Sequence, residues 1–254
     1  MTKHFLKLLF AFILVITVSG CTKDSDENLH NSSNNLNLGV SSNDLLSDEK
    51  YTSLKLEVAY VKDYEPSPST LNNIKSFLEE HINKPNGISL VTKEIQSTGS
   101  GPFSIEQVKK IEDETRTSFN SGNKISVYLL FLNGKSDSQK DNKLILGTAY
   151  KNTSMVIYGE TIHRLSETSG ISKSEIESTT IMHEFGHLFG LVDNGSPAQS
   201  DHEDTESKSH CNVPSCLMVA TVEFGHGTLK MIEKGQAIGF DESCRHDLRA
   251  NGGK

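Results

Sequence analysis

Residues 183–193 read HEFGHLFGLVD, and this run constrains what the chain can fold into more than any other. His183 and His187 are four positions apart, so on a helix they lie on one face about one turn from each other. Ile181, Met182, Phe185, Leu188, Phe189 and Leu191 surround them, which would leave both imidazoles partly desolvated unless they share a metal ion. Gly190 suits a left-handed turn that ends the helix and sends the chain back toward such an ion. Glu184 stands beside the first ligand, where its carboxylate can take a proton from water that the metal activates. Catalytic zinc takes three protein ligands and keeps one position open, so this pattern is complete except for one ligand.

The surrounding sequence predicts an α/β (α+β) frame. Leu54, Leu56, Val58 and Tyr60 alternate as in a strand. After a Pro-Ser-Pro turn, Ser69 is placed to cap a helix with Leu71, Ile74, Phe77, Leu78 and Ile82 on one face. Residues 87–96 read as a second strand. Ser104 and Gln107 have capping-box spacing before a helix that turns Ile105, Val108, Ile111 and Phe119 inward. Residues 124–132 (KISVYLLFL) are apolar enough for a central strand buried on both faces. Shorter strands are expected at 144–150 and 154–158, the motif helix from about Ser174, and a last helix at 229–238. This order predicts a mixed twisted sheet flanked by helices.

The first fifty residues have another character. Lys3, His4 and Lys7 precede the apolar run LLFAFILVITV at 8–18, which falls short of the roughly 20 residues that a spanning helix needs. Val18-Ser19-Gly20-Cys21 then closes a secretory signal over residues 1–20. Residues 21–50 are rich in Asn, Ser and Asp with few apolar side chains, and are expected to form a disordered tether. The folded domain is expected over 51–254. A formal net charge of −8 argues against nucleic acid as a partner. Cys211, Cys216 and Cys244 follow far downstream, an odd number that fits either one disulfide and a spare thiol or a metal cluster.

Three resemblances rest on these residues. Val18-Ser19-Gly20-Cys21 resembles the lipobox of bacterial lipoproteins, which implies that Cys21 is acylated and anchors the chain to the outer membrane, on its periplasmic or cell-surface face. The stretch Lys23-Asp24-Ser25-Asp26-Glu27 is similar to surface-export signals of Bacteroidetes lipoproteins. The segment from His183 to Met218 resembles the metzincin clan of zinc metallopeptidases, in which H-E-x-x-H-x-x-G-x-x-H/D is followed by a methionine turn.

That resemblance leaves the third ligand open. Counted from the helix it falls on Asp193, which also reads as the start of an Asp-Asn-Gly turn. Residues 210–218 (HCNVPSCLM) have archaemetzincin spacing, which implies His210 as the ligand, an insertion over 193–209 and Met218 as the Met-turn residue. His202, within the insertion, is a further candidate. His210 is favoured because imidazole suits zinc. Archaemetzincins also hold a structural zinc with four cysteines. Here Asp241 stands where the third cysteine would be, so Cys211, Cys216 and Cys244 could bind a second Zn2+ with Asp241 or His246, or form a disulfide.

The expected function is membrane-anchored peptide-bond hydrolysis of a peptide or protein substrate. The strand at 144–150 or at 154–158 would pair with the extended substrate. Two alternatives stand beside it: a catalytically silent, surface-tethered zinc module, and a zinc hydrolase acting on a non-peptide amide.

Overall fold

The computed structural model describes residues 32–97, 99–140, 144–220 and 239–254. In chain order its elements are α1 (Ser42–Leu46), β1 (Ser53–Val61), α2 (Pro68–His81), β2 (Ile88–Ile95), α3 (Ile105–Thr115), β3 (Lys124–Leu132), β4 (Gly147–Lys151), β5 (Ser154–Tyr158), α4 (Gly159–Ser169), α5 (Lys173–Leu188) and α6 (Glu242–Ala250). The strands form one sheet in the order β2-β1-β3-β5-β4. β1 is parallel to β2 and β3, and β3 is parallel to β5. Parallel neighbours need a crossover, and α2 and α3 supply two of them. β4 alone is antiparallel and pairs with β5 at the sheet's edge.

Alternation along β3 divides the core in two. Val127, Leu129 and Phe131 point into one layer, against α2 and α5. Tyr128, Leu130 and Leu132 point into the other, with Val108 and Ile111 of α3. Burial on both faces is why this strand reads as an unbroken apolar run.

Most expected elements form with small shifts. Ser67, not Ser69, caps α2: its hydroxyl accepts from Thr70 N at 3.1 Å, and Pro68 takes the first helical position, where its missing N–H costs nothing. The Ser104–Gln107 capping box forms in both directions. α3 ends at Thr115, so Phe119 is not part of it. The motif helix α5 opens on a second capping box, Ser172 with Glu175. α4 and α6 were not expected from the sequence. The expected helix at 229–238 and the signal and lipidation residues, Cys21 among them, lie outside the described residues.

The tether expected over 21–50 is corrected for residues 32–50, which belong to the fold. Leu45 and Leu46 on α1 are fully buried in the main core. Asn34 Nδ2 donates to Asn120 Oδ1 and Thr153 Oγ1, each at 2.9 Å, and Asn120 N donates back to Asn34 Oδ1 at 2.8 Å. Asn152 Nδ2 reaches Ser33 O at 2.9 Å and Ser41 Oγ at 2.8 Å, while Leu36 N donates to its Oδ1 at 3.1 Å. Gly39 meets the backbone of Asn194 and Gly195 so closely that a side chain would collide. Asn and Ser residues that give this segment a tether-like composition are used here to satisfy buried polar groups.

Candidate metal centre

Three histidine rings converge at the C-terminal half of α5. His183, His187 and His210 are all buried, and their ligand atoms lie within 4.8 Å of one another. His183 Nδ1 donates to Leu217 O at 2.7 Å and His210 Nδ1 to Lys208 O at 2.9 Å. A carbonyl oxygen only accepts, so each of these rings carries its proton on Nδ1 and presents Nε2 as a lone-pair donor. His183 Nε2 and His187 Nε2 are 3.1 Å apart. Two nitrogens at about 2.05 Å from one tetrahedral zinc stand about 3.3 Å apart, so this pair fits that ion, and His210 lies within reach of the same position. Burial, and then His183 and His210, hold His187 well below the ordinary histidine range. The neutral imidazole this leaves is the form that binds metal.

Glu184 lies on the same helix, almost fully buried, with Oε2 accepting from Ala149 N at 2.6 Å. Gly147 makes the space: a Cβ there would stand 3.1 Å from Glu184 Cγ and Oε1 and 2.9 Å from Thr180 Cγ2. Gly186 plays the matching part beneath. Met218 is fully buried, and any side chain at 186 would fall on its sulfur. Gly190 is left-handed, with φ 68, and terminates the helix as its position implies.

Of the three candidates for the remaining position, the fold brings His210 to His183 and His187. Asp193 is exposed in the turn after the helix, with φ 59. His202 is buried elsewhere, its Nε2 3.2 Å from Asp247 Oδ2.

Cys211, Cys216, Asp241 and Cys244 make a second cluster whose ligand atoms also lie within 4.8 Å of one another. The three cysteines are free thiols. Cys216 Sγ is 3.5 Å from Cys244 Sγ, and Cys211 Sγ is 3.7 Å from Asp241 Oδ1. Sulfurs on one tetrahedral zinc stand about 3.8 Å apart, so this set fits a metal too. Hydrogen bonds with Cys216 and Cys244 hold the Cys211 thiol low, and those two thiols are pushed up. Asp241 also caps α6, accepting from Cys244 N at 3.1 Å and Ser243 N at 3.3 Å. His246 is exposed and outside the group.

The two clusters share one loop. His210 faces the first and Cys211 the second, Cys211 N donates to Met218 O at 2.8 Å, and Leu217 O orients His183. The contributions of Gly147, Ala149, Leu217 and Lys208 come from backbone or from a missing side chain. No residue pattern in the sequence announces them.

The fold has a solved counterpart. Archaemetzincin from Methanopyrus kandleri aligns with a TM-score of 0.53 at 14% sequence identity, covering 79% of this chain and 96% of that one. The two share a fold. A zinc-dependent peptidase from Methanocorpusculum labreanum aligns with a TM-score of 0.46 at 15% identity, over 76% of this chain and 99% of that one. No protein-family model matches the sequence, and no curated protein does.

Proposed function

We propose that the chain is a zinc-dependent peptidase in which His183, His187 and His210 hold the metal and Glu184 is the general base. The observation that carries this reading is the convergence of three buried imidazoles, two of them on α5, beside a buried carboxylate of the same helix. The likeness of fold to an archaemetzincin supports it. When bound, zinc supplies Lewis-acid polarisation of a carbonyl and brings the pKa of water toward neutrality.

The chain's own residues do the rest. Leu217 O and Lys208 O fix the His183 and His210 rings with Nε2 inward, and Met218 gives the site an apolar floor. Glu184 is held at Oε2 by Ala149 N, and its carboxylate takes the proton from the attacking water and returns it to the leaving amine. β2 and β4 are the edge strands and β5 lies inside the sheet. Of the two edges only β4 carries Ala149, whose N–H holds Glu184, so an extended peptide adds its backbone to β4, directly beside Glu184. In this reading Cys211, Cys216, Cys244 and Asp241 hold a second, structural zinc.

Purified protein lacking residues 1–31 should cleave a mixed peptide library, lose that activity to a zinc chelator and regain it when zinc is restored. Zinc binding without turnover of any peptide would refute the peptidase reading.

The same reading places the chain at the bacterial outer membrane through acylated Cys21, facing the periplasm or the cell surface. Full-length protein expressed in a bacterial host should partition into detergent, and Cys21→Ser should move it to the aqueous phase. Equal partitioning of the two would remove the anchor.

A further inference from the structure

The insertion between Gly190 and His210 is a pinned hairpin rather than a loose loop. It leaves the helix through Val192 (φ 57) and Asp193 (φ 59), and it delivers His210 through Ser209 (φ 60). Non-glycine residues in the left-handed region cost about 1–3 kcal/mol each and persist only where surrounding contacts over-determine them. Those contacts are present. Ser196 Oγ donates to Phe189 O at 2.6 Å, and Asn251 Nδ2 donates to Ser196 Oγ at 2.6 Å. Asp247 then holds the hairpin through Oδ1, which accepts from Gln199 N at 2.7 Å. Its Oδ2 lies 3.2 Å from His202 Nε2, an ion pair when that imidazole is protonated, while His202 Nδ1 donates to Ser200 O at 3.0 Å. His202 is 3% exposed and Asp247 is fully buried.

The pinned strand sets the register of the returning one. His202 O accepts from Asn212 N at 2.8 Å, and His210 O accepts from Asp204 N at 2.7 Å. Glu203 pairs antiparallel with Cys211, and its Oε1 accepts from Ser209 N at 2.9 Å. The backbone of His210 is thus paired with residues 202–204, and that strand is tied to α6 through Gln199 N on Asp247 and the His202–Asp247 pair.

The geometry points to His202 and Asp247 as positioning residues that set His210 in the metal centre, an inference that rests on the proposed reading of His210 as a zinc ligand. A residue considered as a ligand itself on sequence grounds becomes the strap that places the ligand. Partners that orient ligands from one layer out typically contribute about 10- to 100-fold in metal affinity.

The test measures zinc affinity by chelator competition in the full chain, its His210→Ala and Asp247→Asn variants, and the double variant. Asp247→Asn should weaken zinc about 10- to 100-fold, and adding it to His210→Ala should cause no further loss, because both changes remove the same ligand. His202→Gln places a neutral N–H donor toward Asp247 and should stay within about threefold of wild type, while His202→Ala should fall into the range given for Asp247→Asn. With cobalt as probe, the intense thiolate bands of the cysteine cluster should stay unchanged in Asp247→Asn while the weaker bands of the nitrogen site shift. A general loosening of α6 would disturb both.

Wild-type affinity in Asp247→Asn, or a loss that adds in full to that of His210→Ala, would overturn the inference. If Asp247→Asn fails to fold, equal losses in His202→Gln and His202→Ala would overturn it, and rescue by Gln alone would support it. Unchanged affinity in His210→Ala would remove His210 as a ligand, and the inference with it. Loss in His210→Ala without loss in Asp247→Asn would leave the ligand assignment standing and sink only the positioning role.

Discussion

Glu184→Gln should lower kcat on peptides by about 10²- to 10⁴-fold, the usual contribution of a positioned proton-transfer group, while zinc stays bound. The substitution tests one function because it changes so little else. Glutamine keeps the size of the side chain and an oxygen to accept from Ala149 N, the bond that holds Glu184 in place. The pocket left by Gly147 already accommodates that shape. What the amide lacks is the ability to take a proton and release it. KM should therefore change little, and metal content should match the wild type by atomic absorption. A variant that keeps its zinc and turns over within about tenfold of wild type would remove Glu184 as the base.

How much of this was legible in the sequence depends on how local each signal is. The β3 run KISVYLLFL was readable to the residue because a strand buried on both faces must be apolar throughout. The Ser104–Gln107 cap was readable because its spacing is fixed by one turn of helix. HEFGH was readable for the same reason. The third histidine was legible only in part: the HCNVPSCLM spacing favoured His210 but left Asp193 and His202 open. A helix ties His183 to His187, but a seventeen-residue excursion separates Val192 from His210, and no local periodicity spans it. Bringing His210 to His183 and His187 takes tertiary contacts such as those of Asp247, Gln199 and Asn212. α4 and α6 were missed because each is mostly polar: Ile162 and Leu165 are the large apolar side chains buried from the first, and Leu248 from the second. α6 did carry a signal, since Asp241 two and three residues before Ser243 and Cys244 has N-cap spacing.

The largest misreading concerns residues 32–50, and it leads to an equally large expected effect. A chain begun at Tyr51, where composition places the start of the domain, should fail to reach a stable fold, whereas one begun at Ser32 should fold cooperatively. The shorter chain lacks Leu45 and Leu46, both fully buried. Truncating one such leucine to alanine costs about 2–5 kcal/mol, so the pair accounts for about 4–10 kcal/mol of a stability that for most domains is about 5–15 kcal/mol. The loss does not end there. Asn120 and Thr153 lose Asn34, and Asn152 loses Ser33, Leu36 and Ser41. Buried polar atoms would then be left to find water or go unpaired. The segment also backs the metal centre, because Gly39 packs on the Asn194–Gly195 turn and Ser42 accepts from Asn251, which in turn holds Ser196. Urea unfolding followed by circular dichroism separates the outcomes. If the chain begun at Tyr51 unfolds within about 1 kcal/mol of the chain begun at Ser32, the buried leucines carry far less than their transfer and cavity terms require, and the segment is a tether after all.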